Sequence, residues 1–260
     1  DPPPAITWWQ DSILLDDDYI ITPLRIARNE YVINVLQREQ LWSTLTCQAT
    51  NTNFSTPASS SITLDLNLKP LHVRITTRRR PLSAGRRVVL TCRSRGSRPP
   101  ARMTWWKDGK KIFSASAITT SENISISELP FTPEIDDHGK ILRCRADNPD
   151  IINSALEDGW KLDVIYLPKL TLTLLKSDDS VKEGDNVGFE CNVKANPMVS
   201  EISWRFNGKR FVSNPNKGII INNHTLELEL VKRDTAGRYR CEATNVEGQG
   251  ISEEVILRIN

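Results

Sequence analysis

The sequence has few of the side chains that catalytic and metal sites require. Its 3 histidines, His72, His138 and His224, lie in separate segments, and no pair of cysteines or histidines has metal-ligand spacing. It also lacks a glycine-rich phosphate loop and the serine motif of a nucleophile elbow. We therefore predict a protein that is not an enzyme, needs no cofactor or metal, and carries its histidines at the surface.

Long apolar runs are absent as well. No stretch approaches the roughly 18 apolar residues that a membrane-spanning helix needs, and residues 1–4 have neither the basic nor the apolar region of a signal peptide. We expect any leader or membrane anchor to lie outside this segment. The net charge of +2 gives no reason to expect a nucleic-acid partner. The length of 260 residues, 38% of them hydrophobic, suits two or three packed domains.

The sequence does contain a repeat of about one hundred residues. The steps from Cys47 to Cys144 and from Cys144 to Cys241 are both 97 residues, and so is the step from Trp8 to Trp105. A fixed period of this kind indicates a chain built from successive similar domains.

Two units of the repeat share a cysteine–tryptophan–cysteine framework. Trp105 follows Cys92 by 13 residues, and Trp204 follows Cys191 by the same 13. A second cysteine follows these tryptophans after 39 and 37 residues. The framework resembles that of the immunoglobulin domain, in which an inter-sheet disulfide packs against a buried tryptophan. The resemblance implies the disulfides Cys92–Cys144 and Cys191–Cys241, and core positions for Trp8, Trp105 and Trp204.

Apolar residues alternate with polar ones around these cysteines. The alternating sets are Val88, Leu90 and Cys92; Val187, Phe189 and Cys191; and Leu226, Leu228 and Leu230. A period of two bounded by turn residues predicts antiparallel β-strands, and no segment shows a sustained helical period. We predict an all-β protein of tandem immunoglobulin-like β-sandwiches, with the listed residues facing inward.

The fifth cysteine, Cys47, has no partner in this framework. By the spacing of the other units, its partner would lie 13 residues before Trp8, ahead of the first residue. We interpret residues 1–69 as a partial domain, truncated at its N-terminus, in which Cys47 is left unpaired. The alternative is a reactive or intermolecular thiol. A sandwich without two of its strands exposes inner-face apolar residues, so we expect this domain to be only marginally stable.

The cysteine pairs indicate an oxidising compartment, and therefore a secreted or cell-surface protein. Three glycosylation sequons agree with that compartment, with acceptors at Asn53, Asn123 and Asn223. We place the other two domains at residues 70–166 and 167–260. The linkers around residues 68–70 and 166–169 each contain a proline and no glycine or serine. Such linkers predict a semi-rigid, rod-like array.

One segment is strongly basic. Residues 71–111 contain 13 basic side chains and one acid, Asp108. A surface of this charge suits heparan sulfate, an acidic lipid or an acidic protein face. The alternative is that acids later in the same domain, such as Asp137 and Glu157, fold back and neutralise it. The candidate polyanion-binding residues are Arg78, Arg79, Arg80, Arg86 and Arg87.

Two tryptophan pairs pose a similar choice. In Trp8-Trp9 and Trp105-Trp106 the first residue should lie in the core, so the second should point to the other face of its strand. Trp9 and Trp106 are then either contact residues or side chains covered by a neighbouring arginine, and we prefer the covered arrangement.

Several longer motifs resemble the Sidestep family of insect adhesion proteins. They are residues 80–87 (RPLSAGRR), 96–101 (GSRPPA), 104–107 (TWWK), 156–163 (LEDGWKLD), 218–220 (GII), 223–226 (NHTL), 235–237 (TAG) and 247–251 (EGQGI). The likeness runs essentially end to end. It implies a partial second immunoglobulin domain followed by the third and fourth of an ectodomain.

The resemblance also implies a function. Sidestep-type proteins are single-pass surface proteins that act in axon guidance and bind Beaten path-type immunoglobulin receptors through their membrane-distal first domain. This segment would lack that domain and serve mainly as a spacer, so no receptor-binding residue is transferred. Two other classes stay open from the residues alone. One is a matrix module that binds heparan sulfate, and the other is the ectodomain of a receptor enzyme.

Overall fold

A computed structural model describes residues 2–121, 123–175 and 181–260 of the chain, without the side chains of residues 117, 119 and 120. These residues form three β-rich domains in succession, and their helical parts are short 3₁₀ turns.

The first domain has one main sheet. Its strands are β1 (Ala5–Gln10), β2 (Ile13–Asp16), β3 (Ile20–Ile21), β4 (Ala27–Arg28), β5 (Thr44–Thr50) and β6 (Ala58–Thr63), with a 3₁₀ turn at Arg38–Gln40. The main sheet has the order β2-β1-β5-β6, and β3 pairs only with β4. Many apolar side chains stay exposed, including Ile13 at 69%, Trp42 at 55% and Ile62 at 59%. Within the described residues, the two hydrophobic core clusters belong to the other domains.

The second domain is a two-layered sandwich. Its strands are β7 (His72–Ile75), β8 (Leu82–Ser83), β9 (Val88–Arg95), β10 (Arg102–Lys107), β11 (Lys110–Ile112), β12 (Ser116–Ser121), β13 (Ile124–Phe131), β14 (Ile141–Asp147) and β15 (Leu156–Lys161), with a 3₁₀ turn at Ile135–Asp137. One sheet has the order β12-β13-β9-β7 and the other β11-β10-β14-β15. Alternate residues of each sheet fill the core, where Leu90, Trp105 and Leu142 are fully buried.

The third domain repeats this sandwich. Its strands are β16 (Val164–Leu174), β17 (Val187–Asn196), β18 (Ile202–Phe206), β19 (Lys209–Phe211), β20 (Ile219–Asn222), β21 (Thr225–Leu228), β22 (Gly237–Asn245), β23 (Gly248–Ile251) and β24 (Val255–Leu257), with 3₁₀ turns at Pro215–Lys217 and Arg233–Thr235. One sheet contains β20-β21-β17-β16 and the other β19-β18-β22-β23, with β24 also paired to β22. The all-β sandwich prediction is confirmed.

Strand β16 belongs to two domains. Val164 and Ile165 pair in parallel with β8 of the second domain, whereas the rest of the strand pairs antiparallel with β17. The predicted linker at residues 166–169 is therefore part of a continuous strand, which corrects that expectation. The register slips between Tyr166 and Lys169, where Pro168 has no N–H for the ladder.

The leucines at residues 226–230 of the third domain test the predicted strand alternation. Leu226 and Leu228 are buried as predicted, but β21 ends there, and Leu230 is 67% exposed with φ +47. Its prediction as an inward residue is wrong, because the Leu230 N–H leaves the ladder and donates to Asn186.

Tyr239 is fixed within the core of the third domain. The Tyr239 hydroxyl donates to the Thr235 carbonyl at 2.7 Å, and burial together with Asp234 raises the pKa of this phenol.

Candidate interaction surface

The framework residues occupy equivalent places in all three domains. The structure joins Cys92 to Cys144 and Cys191 to Cys241 by disulfides, with Cα–Cα distances of 6.5 and 6.4 Å. In strand register, Trp8 faces Cys47, Trp105 faces Cys144 and Trp204 faces Cys241. Trp105 and Trp204 are almost wholly buried, whereas Trp8 and the free Cys47 are half-buried. The first domain therefore has the same strand pair, but its second sheet has only the strands β3 and β4 among the described residues. Asn29, which follows β4, donates its side-chain amide to the Ile6 carbonyl at 3.0 Å, and its own carbonyl accepts from the Trp8 indole N–H at 3.5 Å.

An asparagine connects the second and third domains. The Asn245 side-chain amide donates to the carbonyls of Tyr166 at 2.8 Å and Pro197 at 3.1 Å. Its Oδ1 accepts from the Glu247 N–H at 2.9 Å, which fixes the side chain. One amide group thus joins the strand that enters the domain to the loop after β17.

The same arrangement connects the first and second domains. The Asn148 amide donates to the carbonyls of Leu68 at 2.9 Å and Arg98 at 2.8 Å, and its Oδ1 accepts from the Asp150 N–H at 2.9 Å. The Leu68 and Arg98 backbones also exchange hydrogen bonds at 2.7 and 2.9 Å. We call each of these asparagines with its two carbonyls a junction clasp. Sequence reasoning missed the clasps, although Asn148 and Asn245 each lie four residues after the last cysteine of their domain.

Arginines reinforce the first junction. The Arg38 guanidinium donates to the carbonyls of Gly96 and Lys69. Arg98 pairs with Asp65 and lies over the Trp42 ring, 4.6 Å from its centroid. The contacts of Arg38 with Gly96 and of Arg98 with Asp65 and Trp42 cross from the first domain to the second, and the two with Gly96 and Asp65 are charge-assisted hydrogen bonds. The second junction also has direct contacts between domains, because Ser83 bonds to Glu247 at 3.2 Å and Asn196 lies 3.2 Å from His138.

The acids of the second domain neutralise part of the predicted basic segment. Asp147 pairs with Arg102 at 2.7 Å, and Asp158 pairs with Arg79 at 3.0 Å. The prediction for Glu157 is wrong, because this acid lies near Arg143 and Arg145 of strand β14, which are outside residues 71–111. Most of this pairing is therefore on the sheet that contains β10, β14 and β15.

A buried carboxylate anchors the basic end of β10. The Asp137 carboxyl is 1% exposed and lies 2.7 Å from the Lys107 ammonium. Burial alone would raise the pKa of this carboxyl, but Lys107, the Glu134 backbone N–H and Lys140 outweigh it and hold the pKa below its usual value. The balancing role expected for Asp137 is therefore directed at Lys107 and Lys140, and the arginines of the segment take no part in it.

The other candidate arginines keep their charge unpaired. Arg78, Arg80, Arg86 and Arg87 are exposed and take part in no ion pair among the described residues. The same holds for three arginines of the other sheet that we did not single out from sequence, Arg74, Arg93 and Arg95. The structure thus separates a neutralised sheet from a cationic one.

The second tryptophan of each pair is tied down locally. The Trp9 indole N–H donates to Thr7 at 2.8 Å, and the Trp106 indole N–H donates to Thr104 at 3.0 Å. Both rings are half-buried. Arg143 lies opposite Trp106 in register, but within the described residues no cation lies over either ring. A threonine on the same strand face, which we did not consider from sequence, positions each ring.

The three sequon asparagines lie at exposed turns. Asn53 and Asn123 are in turns before β6 and β13, and Asn223 has φ +40 in the turn before β21. The three histidines are exposed as well. Across residues 2–121, 123–175 and 181–260, no group of three metal-ligating side chains converges, and no helix is long and apolar enough to span a bilayer.

Comparison with known families gives the same architecture. The CD80-like C2-set immunoglobulin domain matches residues 66–152, and an immunoglobulin domain family matches residues 168–245. The chain is a tandem array of immunoglobulin domains. The nectin-like molecule 4 ectodomain from mouse covers 83% of this array with a TM-score of 0.59 and 25% identity, and the array covers 72% of it. Three titin domains superpose with a TM-score of 0.57 at 18% identity, covering 99% of the array and 88% of their own chain, which shows the fold.

The homologues of the array are immunoglobulin-superfamily cell adhesion molecules. Cell adhesion molecule 2 of Xenopus tropicalis is 28% identical over 182 residues, which is 68% of the array and 41% of that protein. Human nephrin is 25% identical over 284 residues, which is 100% of the array and 21% of nephrin. The array therefore spans less than half the length of these relatives.

Proposed function

We propose that the array belongs to a single-pass cell-surface recognition protein that acts in axon guidance. Its partner is an immunoglobulin-superfamily receptor of the Beaten path type on an opposing cell. The three domains described here act mainly as a spacer, and the receptor contact lies in a further domain. The protein acts by binding alone, on the extracellular side of the membrane.

The observation that carries the spacer role is the construction of the two junctions. A flexible connection needs several residues without partners, whereas β16 runs through one domain boundary and a junction clasp lies at each. The first domain contacts the second near Gly96 and Asn148, and the third contacts it near Ser83 and His138. These loops lie at opposite ends of the second sandwich, so the domains follow one another end to end.

The partner class rests on the homologues and on sequence motifs. The relatives are adhesion molecules with immunoglobulin domains. The motifs at residues 80–87 and 156–163 are similar to those of the Sidestep family. The acceptors Asn53, Asn123 and Asn223 are accessible for glycosylation in an extracellular protein.

A binding comparison tests this proposal. One protein is residues 1–260 with Cys47→Ser, and the other is a longer chain that includes a membrane-distal domain. Both are measured against immobilised Beaten path-type receptor ectodomains. Binding by the longer chain alone is the expected result. Binding by both would overturn the spacer role, and binding by neither would overturn the choice of receptor.

A further inference from the structure

The edge of the cationic sheet carries a two-by-two group of basic side chains. Strands β7 and β9 pair antiparallel, with His72 opposite Arg95 and Arg74 opposite Arg93. All four side chains are exposed, whereas Ser94, between Arg93 and Arg95, is buried and Val73, between His72 and Arg74, is half-buried. Neighbouring strands lie about 4.8 Å apart, and alternate residues on one strand about 6.8 Å apart. We call His72, Arg74, Arg93 and Arg95 the basic strip.

The strip is costly for the isolated domain. Like charges directly opposite one another on neighbouring strands destabilise a sheet. The arginines of the strip form no ion pair with any acid of the described residues. Among the described residues, Glu128 is an acid on the same face; it lies opposite Thr91 and forms no ion pair with another described residue. A negatively charged ligand would relieve this repulsion, since arginine forks bind tetrahedral oxyanions with two hydrogen bonds.

The cationic surface is long as well as dense. Arg87 precedes β9 on the strand that carries Arg93 and Arg95, so the run from Arg87 to Arg95 is about 27 Å. The segment after β7 continues alongside β9 toward Arg87, because the Thr76 N–H donates to the Thr91 carbonyl at 2.8 Å. That segment carries the exposed and unpaired Arg78 and Arg80. A linear ligand with repeated negative charges matches this shape better than a single small anion.

The position of the strip also bears on its ligand. Strand β7 is the edge strand of its sheet, so the basic strip lies on the side of the second domain. The first and third domains contact the second domain at its two ends. A flexible chain can lie along such a side, whereas a flat bilayer would have to meet the whole array lengthwise. We propose that the basic strip, extended toward Arg87, binds a sulfated glycosaminoglycan. This inference does not depend on the proposed spacer function or receptor.

The test is binding of the whole chain to immobilised heparin over a range of salt concentrations. The strip variant is Arg74→Ser, Arg93→Ser and Arg95→Ser. The matched control is Arg143→Ser, Arg145→Ser and Arg238→Ser, which removes the same charge from arginines that face Glu157 or Glu254. We expect the strip variant to bind about tenfold more weakly and with a shallower salt dependence, since fewer counterions are released. The control should change affinity less than about threefold.

A charge reversal keeps the test independent of folding. Arg74→Glu places a carboxylate opposite Arg93, so it should weaken heparin binding while leaving the thermal midpoint unchanged or higher. Equal losses in the strip variant and the control would overturn the proposal, because net charge alone would then explain binding. Equal binding to desulfated heparin would overturn the sulfate requirement. Strip-dependent binding to phosphatidylserine vesicles, without heparin binding, would identify a lipid surface instead and overturn the assignment.

Discussion

The side-chain amide of Asn245 lies 2.8 Å from the carbonyl oxygen of Tyr166 and so joins the third domain to the strand that enters it. Asn148 forms the equivalent bond with Leu68 one domain earlier. The junction clasp therefore recurs at both domain boundaries, where it holds the strand or segment that enters the next domain. The proposed spacer role calls for stiff junctions, because a stiff connection loses less conformational entropy on binding.

Removing a clasp should loosen one junction. Asn245→Ala deletes the donors to Tyr166 and Pro197, and we expect a loss of about 1–2 kcal/mol in the free energy of unfolding of the third domain. Urea denaturation followed by tryptophan fluorescence measures this change. The control is Asn192→Ala, because Asn192 is exposed and its amide contacts only Glu190, at 3.4 Å. Equal effects of the two substitutions would argue against the clasp.

The second junction also depends on a close backbone approach. A Cβ at Gly250 of strand β23 would lie 1.9 Å from the carbonyl oxygen of Pro168 on strand β16. Gly250→Ala should therefore force the two strands apart and destabilise the third domain by about 1–3 kcal/mol. Differential scanning calorimetry measures the thermal midpoint of each variant. The control is Gly159→Ala, because a Cβ at Gly159 would lie 3.5 Å from its nearest neighbour, which is ordinary van der Waals contact. A thermal midpoint for Gly250→Ala equal to that of the control would contradict this.

The second domain should lose stability in acid through Asp137. Its pKa is lowered in the folded state, so its contribution is present above the unfolded value of about 3.9 and is lost as the pH falls through the folded value. Asp137→Asn should cost about 1–3 kcal/mol at pH 7 and flatten the dependence of stability on pH below 5. The measurement is the urea midpoint at several pH values, with Asp150→Asn at an exposed site as control. An unchanged slope in Asp137→Asn would refute this role.

The first domain should open more readily than its neighbours. Strand β5 is hydrogen-bonded on both sides, as β9 is, but the second sheet of its domain has only the strands β3 and β4, and the described core clusters lie in the other two domains. Local opening is governed by buried apolar contacts as well as by hydrogen bonds. We expect amide protons of β5 to exchange at least about 100-fold faster than those of β9 in native hydrogen–deuterium exchange. Comparable protection of the two strands would show that a hidden core stabilises the first domain.

The strand pattern was predictable where periodicity and cysteine spacing agree. Strands β9 and β17 carry alternating apolar residues that end in the buried cysteines, and both are buried on the predicted face. Leu230 fits the same alternation, yet it lies in a turn whose N–H is bound by Asn186, 44 residues away. A local pattern contains no information about such a distant partner.

The charge distribution also depends on contacts between residues that are far apart in the sequence. Composition alone identified a basic segment, but Arg79 is neutralised by Asp158, 79 residues later, and its neighbour Arg80 is not. Arg74 and Arg93 become neighbours only through the pairing of β7 with β9. The junction clasps could have been suspected from the asparagine four residues after each cysteine, although only the structure shows which carbonyls they bind.

The measurement that tests the spacer role most directly is the distance distribution between neighbouring domains. Spin labels would be placed through Ser60→Cys with Lys161→Cys, and through Lys161→Cys with Glu227→Cys, at exposed positions of successive domains in a Cys47→Ser chain. Pulsed electron–electron double resonance should give one narrow distribution for each pair, and Asn148→Ala or Asn245→Ala should broaden the distribution across its own junction. Broad distributions in the unsubstituted junctions would contradict a stiff array and the function proposed for it.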